Sequence, residues 1–233
     1  MIETLCENAG IHLSKGQYAL LERFADLMEA KNKVLNLTRI VDRKDFMIKQ
    51  ILNSLMLGKF LSFEPGNYVA DLGTGGGFPG IPLAIAYPEV HFILVDSVQK
   101  KIRAVEEFVE QLGLKNVKGF SDRIEVLGQE PDYRQRFDLV TAQALAPLPV
   151  LLELAMPLVR VGGVFAAMKG PNYLEEITQS KGAMKSLVLG EPTIESYELP
   201  EGVGSRHLLV FQKTKSTPPQ YPRAVGIPNK DPL

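Results

Sequence analysis

The chain has 233 residues, of which 45% are hydrophobic and 23% charged, and its formal net charge is −1. That length buries a core large enough to fold without crosslinks, and that composition excludes a disordered or collagen-like chain. One cysteine, Cys6, and three scattered histidines, His12, His91 and His207, exclude an internal disulfide and a cysteine-based zinc site, so no metal is expected.

Residues 1–65 are expected to form an N-terminal helical extension. Ser14 and Gln17 have the spacing of a capping box, and behind them Tyr18, Leu21, Phe24, Leu27 and Met28 recur at helical intervals. A second helix is predicted over residues 42–61, with Phe46, Met47, Ile51, Leu55 and Met56 inside, closed by a turn at Pro65-Gly66.

Residues 66–213 alternate strands and helices. Strands are predicted at 68–72, 91–95, 116–120, 137–141 and 164–168, and helices from Ile81, over 98–112 and over 148–159. Ile102, Val105, Phe108, Val109 and Leu112 line one helical face, and Gly113 is placed to cap it. This alternation predicts an α/β fold, a parallel sheet covered by helices on both faces. The extended runs 194–199 and 207–212 predict an antiparallel hairpin at the sheet edge. Residues 214–233 hold five prolines and are expected to be an extended or disordered tail, since proline suits neither a helix interior nor an inner strand.

The run from Asp71 to Gly80 is the most informative stretch. It places Gly73, Gly75, Gly76, Gly77 and Gly80 between a strand and a helix, where a ligand can approach the backbone closely. No Gly-Lys-Ser/Thr follows, which excludes a triphosphate-binding P-loop. Gly75, Gly77 and Gly80 also satisfy the dinucleotide pattern G-x-G-x-x-G. Asp71, directly before the glycines, would repel a pyrophosphate but would suit an ammonium group or an ordered water. Asp96 ends the second strand, where a carboxylate accepts hydrogen bonds from ribose hydroxyls. A ligand with a ribose and a cationic amino-acid end fits both carboxylates, and S-adenosylmethionine is such a ligand. Asp122 and Glu125 follow the third strand, on the side where such a fold places an adenine.

The run from Asp71 to Gly80, with Ile81-Pro82-Leu83, resembles the cofactor loop of the small-subunit (16S) rRNA guanine-N7 methyltransferases, also called the glucose-inhibited division protein B family. Leu35-Asn36-Leu37-Thr38, Ile51-Leu52-Asn53-Ser54, Leu94-Val95-Asp96-Ser97, Met168-Lys169-Gly170, Arg206-His207-Leu208 and the tail motifs Tyr221-Pro222-Arg223 and Gly226-Ile227-Pro228 match its pattern too. The resemblance spans essentially the whole chain. It implies a class I (Rossmann-like) methyltransferase core, a mostly parallel seven-stranded sheet with the C-terminal hairpin, and methyl transfer from S-adenosylmethionine to N7 of one guanine in 16S rRNA. It implies cofactor contacts at Gly73, Phe78, Asp96, Ser97, Ile124, Glu125 and Gln143, beside Asp71, Gly75 and Gly77 of the loop. The chain departs from the family in carrying Gln143 where arginine is usual, and Gln50-Ile51-Leu52-Asn53-Ser54 where His-Ile-Leu-Asp-Ser is frequent.

The chemistry agrees with that implication. Guanine N7 offers a lone pair at neutral pH, so its methylation needs alignment more than a general base. No catalytic residue is assigned, and Lys169 is a positioning candidate. Cys6 lies in the wrong region for a cysteine nucleophile, and Thr141-Ala142-Gln143-Ala144 replaces the Asn/Asp-Pro-Pro-aromatic run expected for amino-nitrogen methylation. Lys169 could act as the base for ribose 2′-hydroxyl methylation, which stays open. So do an RNA-binding ribosome-assembly protein on the same fold and a nicotinamide-dependent oxidoreductase. RNA requires positive charge, and residues 31–49 hold six basic against two acidic residues. The RNA-contact candidates are Lys31, Asn36, Thr38, Lys49, Lys169, Arg206 and Arg223, with 16S rRNA or the small ribosomal subunit as partner. The absence of an apolar 18-residue window and of a basic n-region in residues 1–10 predicts neither a membrane span nor a signal peptide. The lack of disulfides fits a reducing compartment, so a cytoplasmic protein is expected, acting as a monomer.

Overall fold

Two helices open the chain in the computed structural model, which describes residues 1–233. α1 (Ile2–Asn8) precedes α2 (Lys15–Leu35), and the capping box forms: the Ser14 side chain accepts from the Gln17 amide at 3.3 Å while the Gln17 side chain accepts from the Ser14 amide at 2.8 Å. Two of the donors that a helix start leaves unpaired are thereby satisfied. The helix predicted over 42–61 forms in four pieces. α3 (Arg43–Phe46) is capped by Asp42, a π-helical stretch runs over Met47–Leu52, and α4 (Asn53–Leu55) leads into a 3₁₀ turn, Met56–Lys59. π-helical turns are rare and gather at functional sites; this one delivers Asn53 to a cavity described below.

The α/β part follows in the order β1 (Tyr68–Leu72), α5 (Gly80–Ala86), β2 (His91–Val95), α6 (Gln99–Leu112), β3 (Val117–Phe120), α7 (Ile124–Leu127), β4 (Phe137–Gln143), α8 (Leu148–Ala155), β5 (Val159–Lys169), α9 (Tyr173–Gln179), α10 (Lys181–Leu187), β6 (Thr193–Leu199) and β7 (Gly204–Gln212). The seven strands lie in the order β3-β2-β1-β4-β5-β7-β6. Neighbours are parallel except β7, which runs antiparallel to both β5 and β6. The hairpin is present, with β6 as the outer strand and β7 inside the sheet. The winding direction reverses between β1 and β4, and the carboxyl ends of strands at such a switch point form the ligand crevice of doubly wound sheets.

Several elements differ from the sequence expectation. The helix over 148–159 stops at Ala155, and Val159 already belongs to β5, paired with Phe137. Gly162-Gly163 lie inside β5 at a shift of register, where a Cβ on Gly163 would stand 2.7 Å from the Asp138 carbonyl. The short α1 and α7, and α9 and α10 between β5 and β6, were not predicted. The tail is packed against the body and contains one helical turn, α11 (Ile227–Lys230); proline fits there because Pro228 stands in its first turn.

Apolar side chains fill both sides of the sheet. On one side Val140, Leu151, Phe165, Met184 and Phe211 pack together. On the other, the extension shares its core with the sheet: Phe24 meets Phe78 at 5.3 Å and Phe108 at 5.6 Å between ring centres, and Phe46 meets Phe78 at 5.5 Å. No helix is long and apolar enough to cross a membrane.

Candidate active site

The glycine loop starts where β1 ends. Gly73, Gly75 and Gly77 have φ of +69°, +57° and +98°, a region that glycine enters without steric cost. Room is short as well: a Cβ on Gly73 would stand 2.5 Å from Leu145 Cδ1. Asp71 shapes the loop from inside. Its Oδ2 accepts from the Thr74 hydroxyl at 2.7 Å and from the Gly80 amide at 3.0 Å. Asp71 is 1% exposed, and its Oδ1 and the hydroxyl of Thr141, its neighbour in register on β4, are buried without partners. Burial pushes the Asp71 carboxyl up to about 7; the Thr74 and Gly80 donors oppose the shift and the nearby Asp96 adds to it. The carboxylate therefore faces the loop backbone and lines none of the three cavities described below. The Phe78 ring also turns away, into the aromatic cluster of the extension.

Asp96 ties the loop to β2. Its Oδ1 accepts from the Val98 amide at 2.9 Å and its Oδ2 from the Gly75 amide at 3.1 Å, with Lys101 Nζ at 3.5 Å. A carboxylate has about four acceptor positions, so hydroxyls entering the adjoining cavity still find an acceptor. That cavity, of about 340 Å³, is lined by the expected Gly73, Asp96, Ser97, Ile124 and Glu125. It is also lined by Lys101, Leu145, Leu154 and Asn229, to which no sequence pattern pointed. The Glu125 carboxylate accepts from the Gly226 amide at 2.9 Å and from Arg123 at 3.2 Å. Burial works to raise its pKa, but these two donors hold it below the usual carboxylate range.

A second cavity, of about 640 Å³, lies at the carboxyl ends of β4 and β5 and shares Ala144 and Leu145 with the first. Ala144 has φ +51°, a strained conformation for a residue with a Cβ. Gln143, Lys169 and Arg206 line this cavity together with Asn53 and Glu176. Gln143, expected at a cofactor contact, thus opens onto the neighbouring space, and its carboxamide oxygen is buried without a partner. Lys169 Nζ donates to the Ala146 carbonyl at 3.0 Å and to Glu176 Oε2 at 2.6 Å, and that same oxygen accepts from the Leu148 amide at 2.8 Å. The clamp fixes the backbone at Ala146 and Leu148, directly after Leu145. Asn53 Oδ1 accepts from the Tyr197 hydroxyl at 2.8 Å.

The remaining RNA-contact candidates are dispersed. Asn36 and Thr38 line a third cavity, of about 820 Å³, with Lys33 and Arg39. Asn32 shapes its rim by donating to the Thr38 carbonyl and accepting from the Thr38 amide, both at 2.9 Å. Lys31 is paired with Glu107, and Lys49 with Asp45 at 2.7 Å. Arg223 is held by Glu153 on α8, with Nη2 to Oε2 at 2.7 Å and Nε to Oε1 at 2.9 Å; its guanidinium fastens the tail. Lys33 and Arg39 form no salt bridge.

Residues 17–208 match the family model described as rRNA small subunit methyltransferase G. The chain is 40% identical over 227 residues to the ribosomal RNA small subunit methyltransferase G of Halalkalibacterium halodurans, covering 97% of this chain and 95% of that one. It is 38% identical over 224 residues to the Bacillus subtilis protein of the same description, covering 96% and 94%. Among solved structures, an S-adenosylmethionine-dependent methyltransferase from Aquifex aeolicus superposes with a TM-score of 0.54 at 17% identity, over 76% of this chain and 96% of that one. The precorrin-6y C5,15-methyltransferase of Geobacter metallireducens superposes with a TM-score of 0.51 at 11% identity, over 69% and 87%. At those identities the superpositions speak for the fold.

Proposed function

The chain belongs to the family of rRNA small subunit methyltransferase G, and from that premise we propose that it methylates N7 of a specific guanine in 16S rRNA. S-adenosylmethionine is the donor. The observation that carries this reading is the pair of cavities that meet at Ala144 and Leu145 above the glycine loop. One is suited to a nucleoside with a cationic arm, the other to a base brought up from outside.

When bound, S-adenosylmethionine supplies an electrophilic methyl group on a sulfonium. Gly73 leaves it room, Asp96 accepts from ribose hydroxyls, and Ile124 and Leu154 offer apolar surface to the base. Guanine N7 needs no proton removed, so the protein's part is alignment and exclusion of water. Lys169 fits a positioning role. Its ammonium is engaged by a carbonyl and a carboxylate and has no lone pair to take a proton, which speaks against ribose 2′-hydroxyl methylation. Arg206 at the second cavity and Lys33, Asn36, Thr38 and Arg39 at the third are the RNA contacts this reading favours.

The test is transfer from labelled S-adenosylmethionine to small ribosomal subunits lacking the modification, with protein-free rRNA alongside. Label recovered as 7-methylguanine is the expected result. Label on a ribose oxygen would establish the 2′-hydroxyl reading instead, and cofactor binding without any label would favour a ribosome-assembly role.

A further inference from the structure

The donor cavity has one lining residue that follows the sheet by many positions, Asn229. The tail that carries it is fastened at successive points. Arg134 donates to the carbonyls of Thr217 and Pro218, each at 3.2 Å, and of Tyr221 at 2.7 Å. Gln129 donates to the Pro222 carbonyl at 2.8 Å, and Arg223 grips Glu153, which is 0% exposed. Last, the Gly226 amide donates to Glu125. Glu125 is itself a rim residue of the cavity, so this bond docks α11 on the rim and brings in Asn229, three residues later.

We propose that Asn229 is a binding residue for the adenine of S-adenosylmethionine, its carboxamide pairing with the amino edge of the base. The inference rests on reading this cavity as the donor site. Asp96 marks the ribose end, and Ile124 and Leu154 mark the apolar surface for the ring. Glu125, the acidic group nearest that surface in sequence, is engaged by Gly226 and Arg123. Asn229 is exposed, and its side chain makes no hydrogen bond within the protein. A carboxamide presents a donor and an acceptor side by side, the complement of adenine's amino group and adjacent ring nitrogen.

The test compares calorimetric affinities for S-adenosylhomocysteine and for its counterpart with unsubstituted purine in place of adenine. The native protein should prefer the adenine form about tenfold, as the one net hydrogen bond to the amino group implies. Asn229→Ala, at an exposed position that leaves folding intact by thermal melting, should lose most of that preference, its affinity falling more for the adenine form than for the purine form, which keeps the ring-nitrogen acceptor. An Asn229→Ala protein that weakens both ligands equally, or neither, overturns the assignment. Native protein that binds neither ligand overturns the donor-site reading itself, a separate failure.

Discussion

Two carboxylates at neighbouring strand ends meet opposite surroundings. Asp96 is anchored by two amides beside an open cavity, whereas Asp71 is sealed in the loop with one oxygen unpartnered. The folded-state pKa of Asp71, about 7, lies above the unfolded value of about 4. The folded protein therefore holds this proton more tightly, and the associated stability is complete below about pH 4 and lost as the pH rises through about 7. Asp71→Asn removes the titration, keeps an acceptor for the Gly80 amide and offers a donor to the unpaired Thr141 hydroxyl. Its melting temperature relative to the native protein should rise between about pH 5 and about pH 8; a difference that does not change with pH contradicts the assignment. Of the loop glycines, Gly75 and Gly77 are not among the residues lining the cavity beside Asp96. Gly73 and Asp96, which line it together, were readable in sequence because strand, turn and acid lie together in the chain. Leu145, Glu176 and Asn229 were not, because their roles depend on partners far away in sequence. Gln143 was found by position within a motif, which locates a residue along the chain but not the cavity it faces.

Strands were the most readable elements, since short apolar runs bounded by Gly, Pro and Asp announce both ends. β1 and β2 match their predicted limits. Val159 was assigned to a helix because an apolar run suits a buried helix and a buried strand equally. The π-helical stretch has no pattern of its own, and the tail's order comes from distant groups: Arg134, Glu153 and Glu125. That origin makes the tail testable. Arg223→Ala leaves the fully buried Glu153 with only the residue 223 amide as donor, a loss of about 3 kcal/mol on the scale of broken buried ion pairs. Combining it with Glu153→Gln should recover part of the loss in urea unfolding. If the single variant unfolds like the native protein, the pair does not hold the tail.

At the scale of the molecule, a chain of net charge −1 meets RNA through a local surface. Each phosphate contact lowers affinity with salt by a fixed increment. Removing two such contacts with Lys33→Ala and Arg39→Ala should flatten the slope of log affinity for small-subunit rRNA against log salt by about 1.5. An unchanged slope would take the third cavity out of the interface. The α/β class and the C-terminal hairpin were visible in sequence, but nothing local says which hairpin strand lies inside. The answer bears on self-association. β7, a nine-residue strand ending Leu-Leu-Val-Phe-Gln, is the segment best suited to stack into a fibril, and it is flanked on both sides by β5 and β6. The free backbone edges belong to four-residue β3, bearing Lys118, and to β6, bearing Glu195 and Glu198. Shortness and charge deter strand-to-strand growth between molecules, so turning β7 antiparallel into the sheet leaves its most aggregation-prone segment without an edge to offer.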